Sequence, residues 1–352
     1  MIAASAPGRV NLIGDHTDYN EGIVLPTAIP QRATAEVKLR SDDVVNVWSR
    51  ELGSGEYRLS TESRDGDWID YVKACTVALA EAGYGLAGFD LRIRSDIPLG
   101  SGLASSAALQ VAVLRALRRG FSLALDDFAI AMLAHRGETT FVGVPVGVMD
   151  PMAASLGHGG ECLLIDTRTL ALRRVALPTA ELLVLFSGVR HDHVAGEYRR
   201  RRAEGEQAAR ELGVASLRDV RGLRRLTHLP EPPGRRARHV VTENRRVEAA
   251  TSAIERGALR DLGDLLRESH ASMRDDFEVS ISAIDVLVAA ANEHEHVYGA
   301  RLTGGGFGGS VVAVTVRGAA PVVAREVQSR YSAATGLTAG VVVAGDLVCG
   351  PS

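Results

Sequence analysis

Residues 98–108 read PLGSGLASSAA, and the interpretation of the rest of the chain starts from this stretch. Before it, residues 89–94 alternate between apolar and polar side chains, which predicts a strand. After it, residues 104–117 are apolar almost all round, which predicts a helix buried within its domain. Glycines let backbone N–H groups approach an anion, and the unpaired N–H groups of a helix start favour phosphate. An ordinary Gly-Ser turn with a serine N-cap is the alternative, but the strand-to-helix setting and the pair Ser105 and Ser106 favour a phosphate-binding loop.

A second cluster lies near the N-terminus, where residues 7–20 read PGRVNLIGDHTDYN. So many polar and charged groups within a short stretch are expensive to bury. They suit a polyhydroxyl ligand, because each sugar hydroxyl needs both a donor and an acceptor. A solvated loop with capping Asp and Asn residues explains the composition equally well, so both interpretations stay open at this point.

A third cluster spans residues 303–310, TGGGFGGS, with five glycines in six residues. So many glycines cost backbone entropy, and a plain connector does not need them. We expect the cluster to join a helix to the apolar strand 311–316. A flexible linker is the alternative, but the adjoining strand favours close backbone packing around an active-site loop.

The remaining pattern mixes helices and strands, which indicates an α+β protein. Strands are expected within 24–48, 89–94, 311–316 and 340–348. Helices are expected at 68–82, 104–117, 126–141, 196–211, 249–270, 281–295 and 322–331, with a proline-rich loop at 229–234. Sheet-rich sequence gives way to helix-rich sequence near residue 180, which predicts domains of 1–180 and 181–352.

Composition excludes several classes of protein. The 352 residues suggest about two domains, and the formal net charge of −3 argues against a nucleic-acid partner. No apolar run reaches the roughly 18 residues of a membrane helix, and the N-terminus lacks the pattern of a signal peptide. Three widely separated cysteines suit a reducing compartment and exclude a disulfide framework. These features predict a cytoplasmic protein with neither a nucleic-acid nor a membrane partner.

The lysines exclude two familiar phosphate cradles. Lys38 and Lys73 are the only lysines, and neither follows a glycine as a Walker loop requires. Neither lies in a protein-kinase context, and no Asp-Phe-Gly is present. If the chain handles ATP, it does so with another type of phosphate-binding loop.

The three clusters, in this order and at these separations, resemble the motifs of the GHMP kinases and, within them, of the galactokinases. Further stretches that resemble this family lie at 68–73, 147–150, 189–201 and 268–280, so the resemblance covers nearly the whole chain. It implies a two-domain GHMP kinase fold with an N-terminal domain like ribosomal protein S5 and a ferredoxin-like C-terminal domain. The active site is then expected between the two domains.

The resemblance also implies an activity: transfer of the ATP γ-phosphoryl group, with Mg²⁺, to the anomeric hydroxyl of D-galactose in carbohydrate metabolism. By motif match, Asp150 is the catalytic carboxylate beside that hydroxyl and Arg9 is the cation that stabilises it. The implied sugar contacts are Arg9, Asp15, His16, Asp18, Gly147, Asp150 and Tyr198. The implied ATP-binding residues are Trp68 near the adenine and Gly100, Ser101, Gly102, Leu103, Ala104, Ser105 and Ser106 at the phosphates. The implied Mg²⁺ ligands are Ser106 and Glu138.

Three positions depart from the family pattern. Asp15 stands where Glu is usual, so the carboxylate is one methylene shorter toward the hydroxymethyl end of the sugar, and a bridging water or a different sugar could fill the gap. Pro151 stands where Gln is usual and removes one backbone donor. Ala104 replaces a frequent Ser, which we expect to be tolerated because Ser105 and Ser106 remain.

Two rival functions follow from the same resemblance. One is a related sugar kinase, for example for N-acetylgalactosamine, which the pocket volume at the 2-position would decide. The other is a galactose-sensing regulator without turnover, but such relatives lose part of the phosphate motif, whereas Ser105, Ser106 and Glu138 are present here. For a sugar kinase the binding partner is a small sugar, and we expect the protein to be a monomer.

Other conspicuous residues have plainer interpretations. His191 and His193 are expected to be solvated, and His294 and His296 to face different ways on a helix, so neither pair predicts a metal site. The run Arg199–Arg202 is expected on a solvated helix face beside glutamates, and Arg235, Arg236 and Arg238 at the surface. Cys75 is expected in the core.

The Asp15 departure gives a first prediction. Asp15→Glu should lower the KM for galactose, because the longer side chain restores the reach toward the hydroxymethyl group. Steady-state kinetics on galactose check it. An unchanged or higher KM would show that Asp15 is suited to another sugar.

Overall fold

Two β-sheets organise the chain in the computed structural model, which describes residues 1–177, 179–190 and 194–345. The first sheet and its helices comprise β1 (Ile2–Asn11), β2 (Ile23–Val24), β3 (Pro26–Leu39), β4 (Val44–Ser49), β5 (Gly53–Arg58), α1 (Asp70–Glu81), β6 (Phe89–Ser95), α2 (Ser105–Phe121), α3 (Asp127–Arg136), α4 (Met149–Leu156), β7 (Glu161–Asp166) and β8 (Leu172–Ala176). The second group comprises β9 (Glu181–Phe186), α5 (Val194–Glu211), α6 (Pro233–Glu255), α7 (Leu259–Asp275), α8 (Ser282–Asn292), β10 (Val297–Thr303), β11 (Ser310–Thr315), α9 (Ala320–Thr335) and β12 (Gly340–Gly345). Within these ranges, none of the helices combines the length and the apolar character that crossing a membrane requires.

The first sheet has the strand order β2-β7-β3-β6-β4-β5, with β1 paired to β3 and β8 to β7. Strand β1 runs antiparallel to β3, and their register shifts between Pro7 and Arg9. Residues 10–17 are buried, so the N-terminal cluster is the end of a strand and the turn after it. The alternative of a solvated loop is therefore excluded.

Helix α2 packs against this sheet, and the first cluster, residues 98–106, leads into its N-terminus. We call this segment the glycine-rich loop. Its side chains from Ala107 to Leu117 are buried except that of Leu109, and they include Arg115, whose guanidinium donates to the Ser5 and Ser155 carbonyls. This confirms the prediction of a helix that is apolar almost all round and buried in its domain.

The second sheet has the order β10-β11-β9-β12, and every pair in it is antiparallel. Leu183, Leu185 and Val311 on one face pack with residues of α8 and α9. Leu182, Val184 and Val312 on the other face join a core that includes α2 and residues of α6 and α7. The change of sheet falls between β8 and β9, and the division into domains 1–180 and 181–352 stays a prediction.

Two expectations about elements are wrong. The helix expected at 249–270 is two helices, because Gly257 adopts a left-handed φ of 67° between the end of α6 and the start of α7. The third cluster joins β10 to β11 as a hairpin loop, and not a helix to a strand. Residues 297–302, apolar except for Arg301, belong to a strand that the preceding helical pattern concealed.

The expected positions of several charged side chains also need correction. Arg236 is 1% exposed and donates to Glu204, to Glu278 and to the Asp276 carbonyl. Arg201 is buried and donates to the Phe277 and Glu278 carbonyls. Neither lies on a solvated face, because the segment after α7 packs against α5 and α6 and brings carbonyls that need donors.

The structure contradicts the interpretation of His294 and His296 and confirms that of Cys75. His294 and His296 lie beyond the end of α8, and their ring centroids are 5.5 Å apart, so the helical argument for their orientation is wrong. The described part of the chain contains no group of three His, Cys, Asp or Glu residues that could hold a metal. Cys75 is buried in the core, as predicted. His191 and His193 lie outside the described residues.

The close approach of α7 to β10 gives a stability prediction. A Cβ on Gly263 would overlap the Tyr298 carbonyl, so Gly263→Ala should lower the melting temperature although alanine normally gains about 1 kcal/mol in a helix interior. Gly205→Ala in α5 is the matched control, because its Cβ would meet Asn20 Oδ1 at 3.4 Å, an ordinary contact. Thermal unfolding of both variants checks this, and equal stabilisation by both would contradict it.

Candidate active site

All seven residues predicted to contact a sugar line one cavity of about 370 Å³. The turn after β1 contributes Asp15, His16 and Asp18, and β1 itself contributes Arg9. Gly147 and Asp150 come from the start of α4, and Tyr198 comes from α5. The cavity also reaches residues of the glycine-rich loop: Gly100, Gly102, Leu103, Ala104, Ser105 and Ser106.

Arg9 and Asp150 form a two-point ion pair in the wall of this cavity. Arg9 Nε donates to Asp150 Oδ1 at 2.7 Å, and Nη2 donates to Oδ2 at 2.8 Å. The remaining nitrogen, Nη1, donates to the Gly102 carbonyl at 2.7 Å. The guanidinium is nearly buried, whereas 29% of the Asp150 side chain stays exposed. One cation therefore fixes the carboxylate and the glycine-rich loop relative to each other.

Two carbonyl oxygens of the glycine-rich loop accept hydrogen bonds from residues outside the loop. Ser310 Oγ donates to the Ser101 carbonyl at 2.8 Å, and Arg9 N donates to the Leu103 carbonyl at 3.1 Å. Because C=O and N–H point in opposite directions across a trans peptide, the N–H groups of Gly102, Leu103 and Ala104 point away from these donors. The loop is thus arranged to offer N–H groups to an anion.

The third cluster packs directly on this loop. Gly304 has a φ of 86°, and a Cβ there would lie 2.6 Å from the Gly102 carbonyl oxygen. Gly306 makes a similar approach to the Val279 carbonyl. The expected close backbone packing is confirmed, and it explains why side chains are excluded at these positions.

Glu138 lies behind Ser106 on a π-helical turn that continues α3. It accepts hydrogen bonds from Gln110 Nε2 at 2.8 Å and from Ser106 Oγ at 3.3 Å. Burial, reinforced by the charge of Asp150, raises its pKa to about 7. No described residue forms an ion pair with it, so this carboxylate lacks the cation that a buried charge normally needs.

A second cleft of about 570 Å³ opens on the other side of the glycine-rich loop. Its wall is mostly apolar and includes Trp68, Ile93, Ile97, Pro98, Leu99, Leu109 and Phe186. It shares Tyr71, Ser105 and Ser106 with the first cavity. Ser101 lines neither space, because its hydroxyl donates to the Pro98 carbonyl at 2.6 Å and the residue is buried.

Asp15 is buried at the rear of the first cavity. Its Oδ1 accepts from Gly304 N at 2.9 Å, and its Oδ2 lies 2.6 Å from Arg301 Nη2. Burial raises the pKa of this carboxyl, while Arg301 and Arg9 act to lower it. Sequence reasoning missed Arg301; the available signal was a single charged residue in the otherwise apolar strand β10.

His16 is held as a neutral ring among aromatic side chains. Burial, helped by the nearby His239, lowers its pKa to about 3. Its Nδ1 lies 2.9 Å from the Tyr19 hydroxyl, and its ring centroid lies 4.7 Å from that of Phe277 and 5.6 Å from that of Tyr198. A neutral imidazole keeps one donor and one acceptor nitrogen, which matches the needs of a hydroxyl group.

Asp18 lies directly against Gly147 in the wall of the cavity. A Cβ on Gly147 would overlap Asp18 Oδ2, so glycine is required there for the carboxylate to keep its place. Burial raises the pKa of Asp18 to about 7, with a contribution from the nearby charge of Asp150. A ligand that donates hydrogen bonds to this carboxylate would favour its charged form.

Comparison with protein families agrees with this geometry. The model described as the GHMP kinases N terminal domain matches residues 70–158, and the GHMP kinases C terminal model matches residues 250–333. The fold and the site therefore define a kinase of the GHMP class. A further model, the galactokinase galactose-binding signature, matches residues 2–39.

Individual relatives narrow the class. A galactokinase of Roseiflexus sp. is 40% identical over 97% of this chain and 90% of that protein. The human galactokinase is 41% identical over 94% of this chain and 88% of that protein. The solved Lactococcus lactis galactokinase in complex with galactose superposes with a TM-score of 0.93 at 32% identity, covering 99% of this chain and 94% of that one. The chain belongs to the galactokinase family and is a sugar kinase.

The raised pKa of Asp18 gives a pH prediction. Its folded value of about 7 exceeds the ordinary 3.8, so between these values the native state holds a proton that the unfolded chain has released. The free energy of unfolding therefore falls as the pH rises through this window and stays reduced above it. Asp18→Asn removes the effect, so the variant should melt above the wild type at pH 8, and the difference should shrink toward pH 4.

Melting temperatures without sugar across this pH range check the prediction. The control is Asp261→Asn, because that carboxylate is 64% exposed on α7 and its replacement should give no such trend. An Asp18→Asn variant that melts below the wild type at pH 8 would contradict the assignment.

Proposed function

We propose that this chain phosphorylates D-galactose at the anomeric hydroxyl with ATP and forms galactose 1-phosphate. The observation that carries the proposal is the Arg9–Asp150 pair, which stands between the polar cavity and the glycine-rich loop. The relatives described above are galactokinases, and the Lactococcus lactis structure was solved with galactose. A sugar in the cavity would therefore present a hydroxyl to Asp150 beside the phosphate-binding loop.

The cavity offers the mixed donors and acceptors that a hexose needs. Asp15 and Asp18 accept from hydroxyls, while neutral His16 and Tyr198 supply groups that can bind hydroxyls in either sense. Few of these groups are exposed, so a sugar lacking a matched hydroxyl leaves a buried polar group unpaired. That penalty is the general basis of strong discrimination between substrates that differ by one hydroxyl.

The second cleft suits the nucleotide. Trp68 and the aliphatic side chains around it offer an apolar surface for adenine. From there the triphosphate would pass over Ser105 and Ser106, which belong to both spaces, and meet the N–H groups of residues 102–104 at the start of α2. The phosphates would then point toward Asp150, as transfer to the sugar requires.

The surroundings of Glu138 fit Mg²⁺, which we propose as the metal. A buried carboxylate without a cationic partner and the hydroxyl of Ser106 are oxygen ligands of the kind that Mg²⁺ takes together with substrate phosphates. When bound, the ion supplies positive charge that offsets the charge of the phosphate oxygens.

Asp150 is proposed to accept the proton of the attacking hydroxyl. Arg9 cannot act as a base, since its guanidinium stays protonated; its two hydrogen bonds hold the carboxylate in one orientation. Positioning and charge stabilisation supply most of the catalysis in phosphoryl transfer. An orienting role for the pair with late proton loss is the mechanistic alternative.

The site also bears on the setting of the enzyme. All seven residues expected to contact the sugar line one cavity within a single chain, so the proposed reaction needs no residue from a second copy, and the monomer stays a prediction. Cys75 and Cys162 are both buried and free, which agrees with a reducing, cytoplasmic compartment.

An ADP-release assay across a sugar panel tests the proposal. Galactose should give the highest kcat/KM, with N-acetylgalactosamine, glucose and a sugar-free reaction as comparisons. Preference for N-acetylgalactosamine would identify the related kinase, and sugar binding without ADP release would identify a sensor.

Asp150→Asn provides the mechanistic prediction. General-base catalysis contributes typically about 10²–10⁴-fold, so kcat should fall by at least that range while ATP binding stays nearly unchanged. The amide keeps the size of the carboxylate and one of its two acceptors for Arg9, so the loss reports the missing base together with the broken ion pair. Turnover like that of the wild type would remove the base assignment.

A further inference from the structure

Arg301 is a buried charge whose purpose the proposed reaction does not explain. It lies in the middle of β10 with no exposed surface, between apolar neighbours. Its side chain leaves the second sheet and reaches the turn after β1, where Nη1 donates to the Leu12 carbonyl at 3.1 Å. Its Nη2 lies 2.6 Å from Asp15 Oδ2. Within the part of the chain that the structure describes, Asp15 is its ion-pair partner.

The backbone around Asp15 is held by other groups. Glu243 on α6 accepts from Gly14 N at 3.0 Å, and His239 Nε2 lies 3.1 Å from the Asp15 carbonyl oxygen. The turn would therefore keep its path without Arg301. What depends on Arg301 is the carboxylate: one oxygen rests on Gly304 N, and the other faces the guanidinium.

We infer that Arg301 is a positioning residue for the sugar, acting through Asp15. The inference rests on the proposed function. Gly304 N donates to Oδ1 of Asp15, while the charge of Arg301 lies 2.6 Å from Oδ2, a buried oxygen that accepts no hydrogen bond from the described residues. Each carboxylate oxygen has two acceptor positions, and Asp15 lines the cavity, so a sugar hydroxyl there can donate to a position that is still free.

Two physical arguments support this assignment. A carboxylate as buried as Asp15 tends to take up a proton, and burial indeed raises its pKa, with Arg301 the largest opposing influence. The planar guanidinium also donates to the Leu12 carbonyl and to Met273 Sδ from two nitrogens in fixed relation while its charge faces Asp15, which a lysine ammonium on a flexible stem does not reproduce. The second sheet thus sets an acceptor in a cavity whose other residues come largely from the first 150 residues.

The test is a double-mutant cycle on galactose kinetics with Arg301→Lys, Asp15→Asn and both together. Arg301→Lys should raise the KM for galactose about tenfold or more, while kcat and the KM for ATP change less than about threefold. Asp15→Asn should raise the same KM, and adding Arg301→Lys to it should change little further, because Arg301 acts through Asp15. Additive effects of the two substitutions would overturn the inference.

A matched control and substrate analogues distinguish the proposed positioning role of Arg301 from a purely structural role. Arg115→Lys replaces another buried arginine, which donates to the Ser5 and Ser155 carbonyls away from the cavity; it should lower the melting temperature without changing the KM for galactose. On 2-, 3-, 4- and 6-deoxygalactose, Arg301→Lys should leave the KM of one analogue unchanged, the one lacking the hydroxyl that Asp15 binds. An equal rise for all four analogues would indicate general distortion and refute the inference.

Two further comparisons distinguish an Arg301 variant that fails to fold from a failure of the proposed function. If Arg301→Lys does not fold, Arg301→Met in the Asp15→Asn background removes both buried charges together, and its KM for galactose should match that of Asp15→Asn alone. A further rise there would overturn the inference. A wild type that does not phosphorylate galactose refutes the proposed function, whereas an active wild type with equal losses in kcat and both KM values refutes only the role of Arg301.

Discussion

The guanidinium of Arg9 is the contact on which the site depends. Its three nitrogens bond both oxygens of Asp150 and the Gly102 carbonyl, and these partners lie 141 and 93 residues away in sequence. A buried guanidinium is tolerated only when its donors are satisfied. Strand β1, helix α4 and the glycine-rich loop must therefore be packed against one another in the folded protein. The same bonds that satisfy the burial of Arg9 therefore set the distance between the carboxylate and the phosphate-binding loop.

The site also retains charges that the fold does not neutralise. Burial raises the pKa of Asp18 and of Glu138 to about 7 in each case, so both carboxylates are costly to ionise in the unliganded protein. Arg236, by contrast, is buried with two glutamates around it. Arg236 is thus paired within the chain, whereas Asp18 and Glu138 form no ion pair with a described residue, and the partners that we propose for them are a sugar and a cation.

The second half of the chain supplies the rear wall of the site. Ser310 holds the glycine-rich loop, Gly304 packs on it, Glu243 holds the turn that carries Asp15, and Arg301 faces the Asp15 carboxylate. Each of these contacts reaches a backbone group or a carboxylate of the first half. Both halves must therefore be docked before the cavity has its shape, and a stable first sheet would not suffice for recognition.

Local features of the sequence were sufficient for the glycine-rich loop with its buried helix, for strand β6 and, through family resemblance, for the seven residues that line the cavity. Periodicity and turn residues act over a few positions, so they can be read without knowing what packs against them. The pattern did not reveal strand β1, the break at Gly257, the burial of Arg201 and Arg236, or the buried ion pair of Arg301 with Asp15. Each depends on which distant segment covers the residue, and only tertiary packing decides whether a charged side chain faces water or a buried partner.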